Sequence, residues 1–213
     1  MASSQFARPA YKIKSPRLIM RTATDSDAEE FLNLLTKAEN FPFGEPEKDL
    51  TLEKLRVRIG KFAESTAKGK DAFMVIVLRD TNQLIGYGGY NTFESLDPAG
   101  FLTATTLSLG PKYMTDFGIM IDHEHWRKGY GMETISALVE HARAELGCEL
   151  FRTETDNDNE PWRALMRALG LAGFEGRHKA SYDASLDVWV WKFDAGHWDQ
   201  AKKRLQAEGK RLL

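Results

Sequence analysis

The chain has a single cysteine, Cys148, so it can form no internal disulfide and cannot assemble a zinc site from thiolates. One thiol in 213 residues fits a reducing compartment. No run of eighteen apolar residues occurs, and the opening "MASSQFARPAYKIKSPR" lacks the apolar core of a signal peptide. A cytoplasmic protein without membrane contact is expected. The net charge is only -2, and no aromatic and basic RNA-binding string appears, which argues against a nucleic-acid partner. The basic stretch "AKKRLQAEGKR" interleaves Lys, Arg and Glu as a solvated helix end does. Linkers rich in Pro, Gly or Ser, internal repeats and low-complexity tracts are also missing, so one domain is expected.

What is present is a mixed succession of periodicities. "RLIMR" alternates as a strand, and in "TATDSDAEEFLNLL" Thr24 or Ser26 can cap a helix whose acidic first turn suits its dipole. "FPFGEP" breaks the chain before a second helix with Leu52, Leu55, Ile59 and Phe62 at helical spacing. The apolar runs "AFMVIVL" and "LIGYGGY" flank "RDTNQ" as a hairpin, and a loop of Asn, Pro, Gly and Thr residues leads to a strand "DFGIMI" over 116–121. The next helix places Ile135, Leu138, Val139 and Ala142 on one face. A strand "LFRTET" precedes a helix with Trp162, Leu165, Met166 and Leu169, ended by Gly170; "LDVWVWKF" is a last strand before a short helix. The order implies an α/β protein with a mixed sheet covered by helices.

The segment "MIDHEHWRKGYGMETISALVEHA" runs from strand through a glycine-containing turn into a helix. Free backbone N–H groups and the positive end of the helix dipole make such a junction an anion site, and Arg127 and Lys128 add charge. It is neither a Walker loop, which needs Gly-Lys followed by Ser or Thr, nor a dinucleotide fingerprint with a third glycine. Taken alone, it could equally be a tight turn with incidental surface charges.

The string "WRKGYGMETISALVEHA" resembles the pyrophosphate-binding segment of the GNAT acetyltransferases, whose form is Gln or Arg, two residues, Gly, one residue, Gly or Ala. It resembles in particular the branch related to ribosomal-protein alanine N-acetyltransferases, in which Trp commonly holds the first place, as Trp126 does. "SPRLIMRTATDSDAEEFLNLL", "NQLIGYGGY", "DFGIMID", "NEPWRALMRALGL" and "LDVWVWKFDAGHW" follow that branch in order, over about residues 15–198. The resemblance implies the GNAT fold, a central, mostly antiparallel mixed sheet with coenzyme A at a splay between its fourth and fifth strands. Residues 1–14 would be an N-terminal extension and 199–213 a helical tail.

The resemblance also implies acetyl-CoA as donor and no metal. Its diphosphate would lie on the backbone amides of Arg127, Lys128, Gly129, Tyr130, Gly131 and Met132. Its pantetheine arm would lie along Met120 and Ile121, with Asn159 contacting the arm; Asn159 could equally cap the helix before Pro161. Three departures stand out. Trp162 replaces a common Ser or Ala beside the arm, Met166 stands where many relatives outside this branch carry a proton-donating Tyr, and the familiar Gly-Phe is Gly170-Leu171.

Acetyl transfer requires a neutral amine. A lysine side chain is about one part in a thousand neutral near pH 7, an α-amine about a tenth, so a weak base favours an α-amine or another weakly basic amine. Asp116, entering the fourth strand, is the first candidate base; a solvated strand-edge carboxylate is the alternative. Glu94, in the loop after the hairpin, and Tyr182, before the last strand, are further catalytic candidates, each readable as surface. Asn40, Phe41, Phe43 and Tyr90 are expected at the acceptor. His123 and His125 flank the turn without a supporting metal-ligand set, and Trp189 and Trp191 share a face as packing residues. The function expected is N-acetylation of a small amine or a peptide N-terminus. The alternative is a catalytically silent acyl-CoA-binding domain. An exposed aromatic last strand would suit a homodimer as well as a monomer.

Overall fold

The computed structural model describes residues 4–96 and 112–209. Eight strands form one sheet: β1 (Lys12–Lys14), β2 (Leu18–Thr22), β3 (Ala72–Leu78), β4 (Leu84–Leu96), β5 (Lys112–Ile121), β6 (Cys148–Thr155), β7 (Glu175–Lys179) and β8 (Asp187–Asp194), in the order β1-β2-β3-β4-β5-β6-β8-β7. Every neighbouring pair is antiparallel except β5 and β6, which are parallel. That parallel pair needs a crossover, supplied by α3 (Tyr130–Leu146).

Alternation along the strands gives the sheet two apolar faces. On one, Phe117, Trp191 and Phe193 pack with Ile135 and Leu138 of α3, Met166 of α4 (Glu160–Ala168) and Trp198 of α5 (Ala195–Ala207). On the other, Val75 and Val77 pack with Phe31 and Leu35 of α1 (Ala28–Thr36) and Leu55 and Ile59 of α2 (Leu52–Ala67). Thr24 starts the first helical segment as expected, its N–H and hydroxyl both donating to Asp27 within a 3-10 turn ahead of α1.

Several expected boundaries move. Strand β1 lies within residues 1–14, and Phe6, Tyr11 and Ile13 are core, so most of that segment is no mere extension. The C-terminal segment likewise buries Trp198, Ala201 and Leu205. The last strand is not an exposed edge, because β7 pairs along it. "EGRHK" carries little apolar signal, and only its partner makes it a strand. Strand β4 runs on to Leu96 and β5 begins at Lys112, so the Asn-, Pro-, Gly- and Thr-containing loop shrinks to a segment outside the described residues.

The sheet opens between β5 and β6. Their pairing runs from Tyr113↔Cys148 to Asp116↔Arg152 and stops, while β5 continues beside β4 to Ile121 and β6 beside β8 to Thr155. Residues 117–121 therefore have one edge without a strand partner among the described residues. The expected splay is present, and Asp116 and Arg152 stand at its apex.

Candidate donor and acceptor site

Past the open edge, the chain makes a 3-10 turn (His123–His125) and enters α3 through two left-handed residues, Arg127 (φ 62°) and Gly129 (φ 82°). Glycine adopts this conformation freely; arginine does so at a cost of about 1–3 kcal/mol, a strain that clusters at ligand sites. The Trp126 indole, 41% exposed, donates from Nε1 to the Ile121 carbonyl at 2.6 Å and closes the turn on the end of β5. The first helical bond is from the Glu133 N–H to the Gly129 carbonyl. Among the described residues, none of the N–H groups of 127–132 donates a hydrogen bond. They are free backbone donors at a helix N-terminus, which fits an anion such as a diphosphate.

The open edge of β5 refines the expected pantetheine contacts. The Asp122 N–H donates across the ladder to Ile85, whereas the Ile121 carbonyl faces the other way, towards Trp126. Since a strand's backbone groups alternate, Phe117, Ile119 and Ile121 point into the splay, and the groups of Met120 belong to the ladder with β4. Of the two residues expected beside the arm, Ile121 lies on the open edge and Met120 does not; Ile119 lies there as well.

Helix α4 reaches the start of α3 through Leu165. Leu165 is the nearest neighbour that a Cβ on Gly131 would meet, at 3.2 Å, ahead of Ile119 at 3.9 Å. The Asn159 side chain accepts from the Trp162 N–H at 3.1 Å and donates to Thr155 Oγ1 at 2.8 Å, so it does cap the helix. Trp162 is buried, and its Nε1 has no partner among the described residues. Met166 is wholly buried and brings no proton donor to this wall.

At the apex Asp116 is mid-strand and 2% exposed, not a solvated carboxylate at a strand entrance. Arg152 Nε donates to its Oδ2 at 2.6 Å and Asn91 Nδ2 to its Oδ1 at 2.7 Å. Burial pushes the Asp116 carboxyl above its ordinary value, while Arg152 and Asn91 pull it back. Glu94 belongs to β4, not to a loop, and lies 3.7 Å from Arg152. Between Asn91 and the open edge, Gly118 leaves room: a Cβ there would meet nothing closer than Asn91 Nδ2 at 3.5 Å.

Other expected residues do not converge there. Tyr90 is fully buried, its hydroxyl donating to the Leu138 carbonyl at 2.8 Å and lying 2.9 Å from His141, so it is a core residue rather than an acceptor wall. Tyr182 is 67% exposed and directs its hydroxyl to Asp156, four residues beyond Arg152 and roughly 13 Å along the strand direction. That separates it from Asp116 and Glu94. Asn40 is buried and acts as a clamp, donating to the Leu34 carbonyl and accepting from the His123 N–H at 2.7 Å. Phe41 packs on the α1/α2 core, and Phe43 is exposed beside it in sequence. His123 and His125 belong to no metal-binding group among the described residues. Burial pushes the Cys148 thiol up to about 12, which makes it inert.

Four contributors escaped sequence reasoning: Asn91 and Arg152 at the apex, and Arg17 and Glu133 beside the turn. A charged residue inside the strand "LFRTET" was the only available signal for Arg152.

The Acetyltransferase (GNAT) domain profile matches residues 17–172. The chain belongs to the GNAT acetyltransferases. The "Uncharacterized N-acetyltransferase YoaA" of Bacillus subtilis (strain 168) is 27% identical over 160 residues, 75% of this chain and 81% of that protein. A putative ribosomal-protein-serine acetyltransferase from Vibrio cholerae shares the fold with a TM-score of 0.64 at 19% identity, covering 86% of this chain and 97% of its own. Mycobacterium smegmatis RimJ, solved in complex with CoA-disulfide, does so with a TM-score of 0.65 at 14% identity, covering 94% of both chains. No helix among the described residues is long and apolar enough to cross a membrane.

Proposed function

We propose that this GNAT acetyltransferase transfers the acetyl group of acetyl-CoA to a primary amine of a small molecule or a peptide N-terminus, in the cytoplasm. One observation carries the reading: the sheet opens at Asp116 and Arg152, and the opening leads along the β5 edge to a turn of uncommitted amides. The residues present fit the coenzyme. The N–H groups of residues 127–132 would hold its diphosphate, and the backbone of Ile119 and Ile121 its arm. Acetyl-CoA supplies the activated acyl group.

The acceptor amine would reach the apex over Gly118. Asp116, with one further lone pair on each oxygen, is the base we propose, and Asn91 and Arg152 hold its carboxylate in place. Burial favours proton uptake by Asp116 and the ion pair limits it, so the demand on the base is smallest for an α-amine or a similarly weak base, already about a tenth neutral near pH 7. Glu94 contributes negative charge next to Arg152.

The test is a thermal shift with acetyl-CoA, coenzyme A and ATP, followed by thiol release across α-amines, polyamines, amino sugars and lysine side chains. Stabilisation by both coenzyme A species and turnover of a weakly basic amine, lost in Asp116→Asn, are expected. Binding without turnover of any amine would instead favour a silent acyl-CoA-binding domain, a reading supported by the buried Met166 where a proton donor could stand. No shift with either coenzyme A species would sink both.

A further inference from the structure

The turn that precedes α3 is gripped from outside by a residue distant in sequence. Arg17, at the β1–β2 connection, donates from Nη1 to the Lys128 carbonyl at 3.0 Å. Its Nε donates to Glu133 Oε2 at 2.7 Å, and its own backbone N–H to Glu133 Oε1 at 2.7 Å. Ser15 Oγ completes the set on Oε1 at 2.7 Å, so a 5%-exposed carboxylate in the first turn of α3 is held by three donors from one short connection. The guanidinium also lies over the Tyr130 ring, 4.5 Å from its centre, with Nη2 3.4 Å from where a Gly129 Cβ would stand.

These contacts have a consequence for the peptide between Lys128 and Gly129. In a trans peptide the carbonyl and the following N–H point in opposite directions, and the described residues include no cis bond. Fixing the Lys128 carbonyl therefore fixes the direction of the Gly129 N–H. It points away from the side on which Arg17 holds the carbonyl. The left-handed Arg127, one residue before this peptide, is the strained conformation that a free loop would relax, and the Glu133–Arg17 grip helps to hold it.

We infer that Arg17, locked by Glu133, is a positioning residue for the donor site, setting the Lys128–Gly129 peptide so that the Gly129 N–H meets the coenzyme diphosphate. Nothing in the sequence pattern of the turn includes Arg17, which lies 111 residues from the carbonyl it holds. The inference rests on the donor reading given above. A lysine at position 17 keeps the charge and the backbone N–H to Glu133, but one ammonium cannot replace a fork that spans both Glu133 and the Lys128 carbonyl.

The experiment is calorimetric titration of coenzyme A into the parent, Arg17→Lys, Glu133→Gln and the double variant, with the Gly129 amide followed by ¹H–¹⁵N spectroscopy. Both single variants are expected to bind coenzyme A roughly ten-fold more weakly, the scale of one charge-assisted hydrogen bond. The double variant should be no weaker than the worse single one, since both act through one grip. At saturation the Gly129 amide should move downfield in the parent and markedly less in Arg17→Lys. Unchanged affinity in Arg17→Lys overturns the inference. So does weaker binding with the full Gly129 shift retained, the signature of general loosening, and so do additive losses in the double variant. A parent that binds no coenzyme A defeats the donor reading itself, whereas a parent that binds alongside an unaffected Arg17→Lys defeats only this inference.

Discussion

The two halves of the proposed site are made of different material. On the donor side the groups are backbone: the edge of β5 over residues 117–121 that faces away from β4, and the N–H groups of residues 127–132, which donate no hydrogen bond among the described residues. On the acceptor side they are side chains from three strands, the buried Asp116 with the exposed Asn91 and the partly buried Arg152 each bonded to it. A site made from backbone tolerates wide variation in side chains as long as the glycines and the strand end remain. A site made from a buried ion pair depends on each member, because losing one leaves a charge without its counterpart.

The largest expected effect is therefore on the acceptor side. Arg152→Met should destabilise the fold by about 3–5 kcal/mol through the stranded Asp116, and Asp116→Asn in that background should recover a large part. Urea unfolding measures both; a single variant within 1 kcal/mol of the parent would mean that the two halves do not differ in this way. The donor side should answer differently. Gly131→Glu places a carboxylate among the free amides at the cost of a small displacement of Leu165, and should fold normally. It should lose the stabilisation by coenzyme A, about 2.7 kcal/mol at a hundred times the dissociation constant. A thermal shift equal to that of the parent would contradict the backbone-built donor site.

A third test probes the frame under both halves. His141, packed against Tyr90, is held neutral by burial down to about pH 4, whereas the unfolded chain takes up that proton near 6.5. The folded pKa is depressed, so stability is intact above pH 6.5 and drains as the pH falls towards 4. Unfolding free energies across that window should fall less steeply in His141→Gln than in the parent; parallel curves would remove His141 from the account. The smallest effect is expected at Arg127→Gly. Relief of the left-handed strain, partly offset by the greater freedom of glycine in the unfolded chain, should stabilise the ligand-free protein by up to about 1 kcal/mol. Loss of stability in a denaturant titration would show that the Arg127 side chain contributes more than its backbone costs.

The same contrast explains what could be read in advance. The strand "DFGIMI", the two glycines and the amphipathic α3 are local patterns, so the junction proposed as the anion site could be singled out from a few consecutive residues. Asp116 could be singled out from the strand as a candidate base, with a solvated strand-edge carboxylate as the alternative that its burial overturns. Its burial and its partners come from β4 and β6, 25 and 36 residues away. Glu94 looked like a loop residue because the extension of β4 to Leu96 depends on pairing with β5 rather than on its own alternation. Tyr90 looked available because strand periodicity does not reveal which face a helix will cover. Tyr182 could be placed in its loop, yet only the register of β7 and β8 sets its distance from the apex.

By itself the sequence determined the succession of strands and helices apart from β1 and β7, the glycine-bearing entry to α3 and the resemblance that these carry, because hydrophobic period, turn chemistry and helix ends act over a few residues. The tertiary structure alone decided which strands part after Asp116, which backbone groups the parting leaves open, and which charges meet at its apex. It also decided that Arg17 holds the Lys128 carbonyl. Those outcomes depend on strand register and on contacts between residues far apart in the chain, and no local periodicity encodes them.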